Sequence, residues 1–91
     1  MREPEHPSPD ARRRRLLFRA THRGTHETDL LIGGFVRARL DGFSEEELDV
    51  LEAVIELPDV DLADWLSGRR PIPPVLPEST MLTRMREAAG R

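Results

Sequence analysis

Ser44-Glu45-Glu46-Glu47-Leu48-Asp49-Val50-Leu51-Glu52-Ala53-Val54-Ile55-Glu56-Leu57-Pro58 is the stretch whose reading decides the fold. Ser44 with Glu47 three residues later fits a capping box, in which the serine oxygen takes the Glu47 amide and the glutamate reaches back to the serine amide. Glu45, Glu46 and Glu47 all fall at the positive end of the resulting helix dipole. Leu48, Leu51, Val54, Ile55 and Leu57 then form a wide apolar face, and Pro58 marks the end. A helix this short is not stable alone in water, so its apolar face needs partners.

The rest of the chain offers helices as those partners, because no alternating segment is long enough for a buried strand. Downstream, Asp59 or Asp61 is the expected cap of a short fourth helix carrying Leu62, Trp65 and Leu66 and closed by Gly68. The four prolines in residues 69–77 impose an extended connector. A last helix over about 78–89 carries Met81, Leu82 and Met85 and stops at Gly90. Upstream, the spacing predicts a helix from near Thr25 to about Leu40, with Leu31, Phe35 and Ala38 inward and Leu30 and Gly34 beside them. Gly33 and Gly34 each weaken it by roughly 1 kcal/mol relative to alanine, which points to close approach by another helix or a partner. Asp41-Gly42 supplies its stop. The first helix is expected from an Asp10 cap to about Thr21, with Leu16, Leu17 and Ala20 inward, and Gly24 ends or interrupts it. The expected architecture is all-α, a small single-domain five-helix bundle over residues 10–91 behind a disordered tail over residues 1–9.

Composition narrows the function. A chain of 91 residues supports one small core. With no cysteine it has neither a disulfide framework nor a thiolate metal site, which favours a reducing compartment. The acidic, proline-punctuated start is unlike a signal peptide and the apolar runs are too short to span a bilayer, so a soluble, cytoplasmic protein without membrane insertion is expected. Residues 1–23 hold seven arginines against three acids, residues 24–66 two against twelve, and residues 67–91 five against two, so basic ends flank an acidic middle.

Three constellations carry chemistry. In Arg23-Gly24-Thr25-His26-Glu27-Thr28-Asp29, the arginine and glutamate flank a glycine at a helix start. Gly24 and Glu27 can serve as local caps, or the bare glycine backbone can meet a partner between two charge-assisted hydrogen bonds. His22, His26 and Glu27 have the residue types of a two-histidine, one-carboxylate metal site, but Gly24 breaks the helix that the spacing would need, so no metal is expected. No serine or cysteine nucleophile pattern accompanies them, and the chain is not expected to be an enzyme. Arg12-Arg13-Arg14-Arg15 with Arg19 is either a solvated face, a stripe that steers docking to an acidic protein, or a phosphate contact. The last makes a small nucleic-acid-associated regulator the alternative function, against which the sequence pI of about 5.6 argues.

Arg14-Arg15-Leu16-Leu17-Phe18-Arg19, Arg23 through Phe35, Ser44 through Leu48, and Asp59 through Gly68 together resemble the successive blocks of the SdhE family of FAD assembly factors, over about residues 12–70. The resemblance implies a five-helix bundle that binds the flavoprotein subunit of succinate dehydrogenase, and of the related fumarate reductase, and promotes covalent FAD attachment there. It implies a monomeric chaperone that binds no cofactor tightly, since the FAD belongs to the partner, and that uses no nucleic acid. Carried over by the Arg-Gly-x-x-Glu signature, the partner-binding residues are Arg23, Gly24 and Glu27, with Asp29, Arg19 and His26 beside them. Thr25, His26 and Ala63 depart from residues common in the family at those positions.

Overall fold

A computed structural model describes residues 9–23 and 26–90, with the side chains of Pro9 and His26 left aside. The described residues form five α-helices and no strand: α1 (Pro9–Thr21), α2 (His26–Arg39), α3 (Glu45–Ile55), α4 (Asp59–Ser67) and α5 (Ser79–Ala88), with one 3₁₀ turn, Leu40–Gly42, after α2. This is the expected all-α five-helix bundle. The tail expected over residues 1–9 lies outside the described residues except for Pro9, which opens α1. Asp10 therefore sits inside the first turn of α1, where its charge still faces the positive end of the helix.

α2 runs through the middle. It packs against α1, α4 and α5, while α3 packs against α1 and α5 and α4 against α5. Leu16 and Ala20 of α1, Ile32, Phe35 and Val36 of α2, Leu48, Leu51, Val54 and Ile55 of α3, Leu62, Trp65 and Leu66 of α4, and Met81, Leu82 and Met85 of α5 close one core. The inward face of α2 differs from the expected one. Thr28, Ile32 and Val36 are fully buried, whereas Leu31 is only half-buried and Leu30 and Ala38 are exposed. Phe35 is buried as expected; beyond it the pattern alone permitted either side, and the packing of α1, α4 and α5 around α2 leaves Ile32 and Val36 covered.

The adjacent glycines separate in the same way. A Cβ on Gly33 would come within 2.7 Å of Thr21 Cγ2, so α1 and α2 cross where glycine removes the obstacle, while a Cβ on Gly34 would meet nothing within 4 Å.

The α3 capping box forms as expected. Glu47 N–H donates to Ser44 Oγ at 3.1 Å and Ser44 N–H to Glu47 Oε1 at 2.9 Å. Arg84 of α5 adds a 3.0 Å ion pair to the other Glu47 oxygen. The Ser44 amide, then Arg84, hold the Glu47 carboxyl below the usual carboxylate range. At α4 the expected acidic cap is not used: Pro58 occupies the cap position without a side-chain bond, and Asp59 and Asp61 lie in the first turn. Proline lacks an N–H and its fixed φ of −61° delivers the chain directly into the helix. Gly68 closes α4 with φ 88°, the left-handed geometry that glycine accepts without strain. Beyond it, Asp64 receives both Arg69 (3.0 Å) and Arg70 (2.8 Å), which hold its carboxyl below the usual range in that order. Arg70 also reaches Asp61 at 2.7 Å and lies over the Trp65 ring at 5.6 Å, sealing the open edge of the core. The 69–77 connector is non-helical, but it is not extended throughout: Leu76 N–H donates to the Pro73 carbonyl (3.2 Å) and Ser79 N–H to the Leu76 carbonyl (3.0 Å), turns that lead the chain into α5.

Candidate functional site

Helix α1 ends at Thr21 and α2 begins at His26, so the Arg-Gly-x-x-Glu signature spans their joint. Gly24 and Thr25, and the side chain of His26, lie outside the described residues. The end of α1 is held locally: the Thr21 hydroxyl donates to the Leu17 carbonyl (3.0 Å), and His22 Nδ1 meets the Phe18 carbonyl at 2.8 Å. That bond lays the His22 ring on the Phe18 ring, with centroids 4.0 Å apart and planes 15° from parallel. Phe18 is nevertheless 62% exposed, a large apolar surface that the core does not use. Phe18, Arg19, His22, Arg23 and Ile55 line a shallow depression there.

Glu27, one residue into α2, is exposed. Asp29 is half-buried and accepts the Arg23 backbone N–H at 2.9 Å, which ties the joint to the first turn of α2. Leu30, one turn beyond Glu27, is 62% exposed. It begins an open apolar groove with Leu31, Gly34 and Ala38 of α2 and Met85 and Ala88 of α5.

Arg23 behaves differently from its neighbours. Its side chain is only 9% exposed, and Nη2 donates both to the Leu57 carbonyl (2.7 Å) and to Asp59 Oδ1 (2.6 Å). Both acceptors belong to the α3–α4 joint. Arg23 Nε is buried with no hydrogen-bond partner among the described residues. Sequence reasoning missed Asp59 in this role, since nothing local marks a carboxylate 36 residues away as the acceptor. Phe18 was missed too, although a signal exists for it: it falls off the stripe of Leu16 and Ala20.

The basic run of α1 is mostly turned onto the protein itself. Arg12 reaches Glu45 (3.0 Å), Asp49 (2.5 Å) and Glu52 (3.2 Å) of α3. The Asp49 bond is the largest influence raising the Arg12 pKa above its ordinary value. Arg13 donates to the Leu40 (3.1 Å) and Phe43 (2.8 Å) carbonyls, closing the 3₁₀ turn. Arg19 makes longer contacts of 3.4 Å to Glu52 and to Glu56. Arg14 and Arg15 of the run are exposed, while at Arg12 and Arg19 a phosphate backbone would have to compete with carboxylates already in place. Among the described residues there is no group of three metal-ligating side chains, and no helix is long and apolar enough to cross a membrane.

These features define a small all-α bundle whose candidate site is a surface at one helix joint. The chain belongs to the family described as the flavinator of succinate dehydrogenase, whose model matches residues 14–89. It is 62% identical over 63 residues to the FAD assembly factor SdhE of Acetobacter pasteurianus, covering 69% of this chain and 58% of that protein. It is 35% identical over 83 residues to the mitochondrial succinate dehydrogenase assembly factor 2 of Debaryomyces hansenii, covering 88% of this chain and 58% of that one. With the mitochondrial succinate dehydrogenase assembly factor 2 of Saccharomyces cerevisiae the identity is 32% over 81 residues, covering 86% and 50%. The chain thus spans between half and three-fifths of the length of these relatives.

Proposed function

We propose that this chain is an assembly factor for succinate dehydrogenase, binding its flavoprotein subunit, and that of the related fumarate reductase, to promote covalent FAD attachment. The observation that carries the reading is the family match across residues 14–89, which takes in the whole α1–α2 joint. The exposed Phe18 and Glu27 support a role in docking, since they offer an apolar anchor and a charge on an open surface. Arg19, Arg23, Gly24, His26, Glu27 and Asp29 make up the docking region. The factor contributes no catalytic group and holds no FAD tightly. It works by favouring the arrangement of the flavoprotein in which flavin and the accepting side chain meet, a matter of orientation and population.

Covalent flavin on the flavoprotein subunit is read by in-gel fluorescence after denaturation, in cells with and without this chain. The expected result is loss of the signal without the chain, restored by the wild type and not by Gly24→Arg or by a folded Glu27→Ala. Full flavin attachment in its absence would overturn the proposal.

A further inference from the structure

We infer that Arg23 serves docking as a positioning residue acting through Asp59, so that Asp59, outside the Arg-Gly-x-x-Glu signature, helps determine the docking surface. The inference rests on the reading that this surface binds the flavoprotein subunit. Arg23 Nη2 carries two hydrogens, and both are spent, one on the Leu57 carbonyl and one on Asp59 Oδ1. With the side chain 9% exposed, a partner protein reaches little of the guanidinium unless it first breaks those bonds. A buried charge does not leave its acceptors without leaving a desolvated group behind.

The acceptors are well chosen for an anchor. The Leu57 carbonyl lies just past α3, beside the negative end of that helix, and Asp59 is the first residue of α4. The Arg23 amide meanwhile donates to Asp29 on α2. One residue therefore fastens the end of α1 to α2 and to the α3–α4 joint, immediately ahead of Gly24 and four residues ahead of Glu27. With the brace in place, Arg23 at the end of α1 is held to the first turn of α2 and to the α3–α4 joint before the partner arrives. Without it, fixing the relation of these elements becomes part of the cost of binding. One guanidinium nitrogen meets both acceptors of the α3–α4 joint, so a glutamine at position 23, shorter and uncharged, does not replace the brace.

The test is the affinity and association rate of the purified succinate dehydrogenase flavoprotein subunit for the full chain, as wild type, Glu27→Ala, Arg23→Gln, Asp59→Asn, Asp59→Glu, the Arg23→Gln/Asp59→Asn pair, and Arg12→Gln. Arg23→Gln and Asp59→Asn are each expected to weaken binding about tenfold, the size of one charge-assisted hydrogen bond. The double variant is expected to be no weaker than either, with the salt dependence of the association rate as in the wild type. Asp59→Glu, which keeps the carboxylate, recovers most of the loss. Arg12→Gln loosens the bundle at another seam and is expected to bind as the wild type does. Wild-type binding by Asp59→Asn, alongside weak binding and a flattened salt dependence in Arg23→Gln, would make Arg23 a direct contact and overturn the inference. So would weakening in Arg12→Gln in proportion to its lowered melting temperature, which would reduce the effect to general stability. If Glu27→Ala and wild type are equally unable to bind, the docking reading falls first and the inference with it.

Discussion

Arg12 and Arg23, at the two ends of the same chain segment, are both largely buried and held by carboxylates, but with different numbers of acceptors. Arg12, its side chain 16% exposed, spreads over Glu45, Asp49 and Glu52, whose side chains are 42% or more exposed. Arg23 meets a single carboxylate and a carbonyl, with its own side chain 9% exposed. Counting ion pairs ranks the Arg12 seam first, and the physics of solvation reverses the order. Carboxylates facing water contribute little each and are screened by salt, and losing one leaves Arg12 two others, whereas Arg23 has one carboxylate and one carbonyl to lose. The seam between α1 and α3 is therefore expected to tolerate the loss of one acceptor better than the joint beside the signature.

The sharpest way to break this comparison is Asp59→Asn, which leaves Arg23 buried beside a neutral acceptor. Chemical denaturation should show a loss of about 2 to 3 kcal/mol, allowing for the partial exposure of Asp59, and the loss should persist in about 0.5 M salt. Arg12→Gln should cost roughly 1 kcal/mol or less despite removing three ion pairs, and most of that cost should vanish at the same salt; a loss exceeding that of Asp59→Asn would invert the ranking. Asp49→Asn removes one of the three acceptors while Glu45 and Glu52 remain, so a change of only a few tenths of a kcal/mol is expected.

The smallest effect lies at the exposed clamps. Glu47 and Asp64 have carboxyls held below their ordinary range in the folded chain. Their contribution is fully present above the unfolded carboxylate pKa, roughly pH 4, and is lost as pH falls through the lower folded value. The melting temperature of Glu47→Gln should therefore lie below that of the wild type at neutral pH and converge with it in acid. A constant gap at every pH would show that the Glu47 charge is not what Ser44 and Arg84 hold.

Five helices were legible because their signals are local. The Ser44 box and the stop at Gly68 depend on residues a few positions apart, and both stand in the structure, while the proline connector is non-helical but folds into turns from Pro73 onward. The face of α2 was legible only in part: Phe35 is inward as expected, but Leu30-Leu31 and Ile32 offer two apolar stripes and only the packing of the neighbouring helices selects between them. The cap of α4 was misread for a related reason: Asp59 has the chemistry of a cap, but Pro58 already holds that position. At the candidate site, the signature and its exposed Glu27 could be read directly, while the inward turn of Arg23 could not.

By itself, then, the sequence determined where helices start and stop and which segment carries the signature, because capping, proline geometry and periodicity act over a single turn. Tertiary structure alone decided which charges are spent internally and which remain for a partner. Arg12 and Arg23 are the same residue type on one chain segment, and only packing against α3 and the α3–α4 joint sets how many acceptors each has, and so what losing one costs.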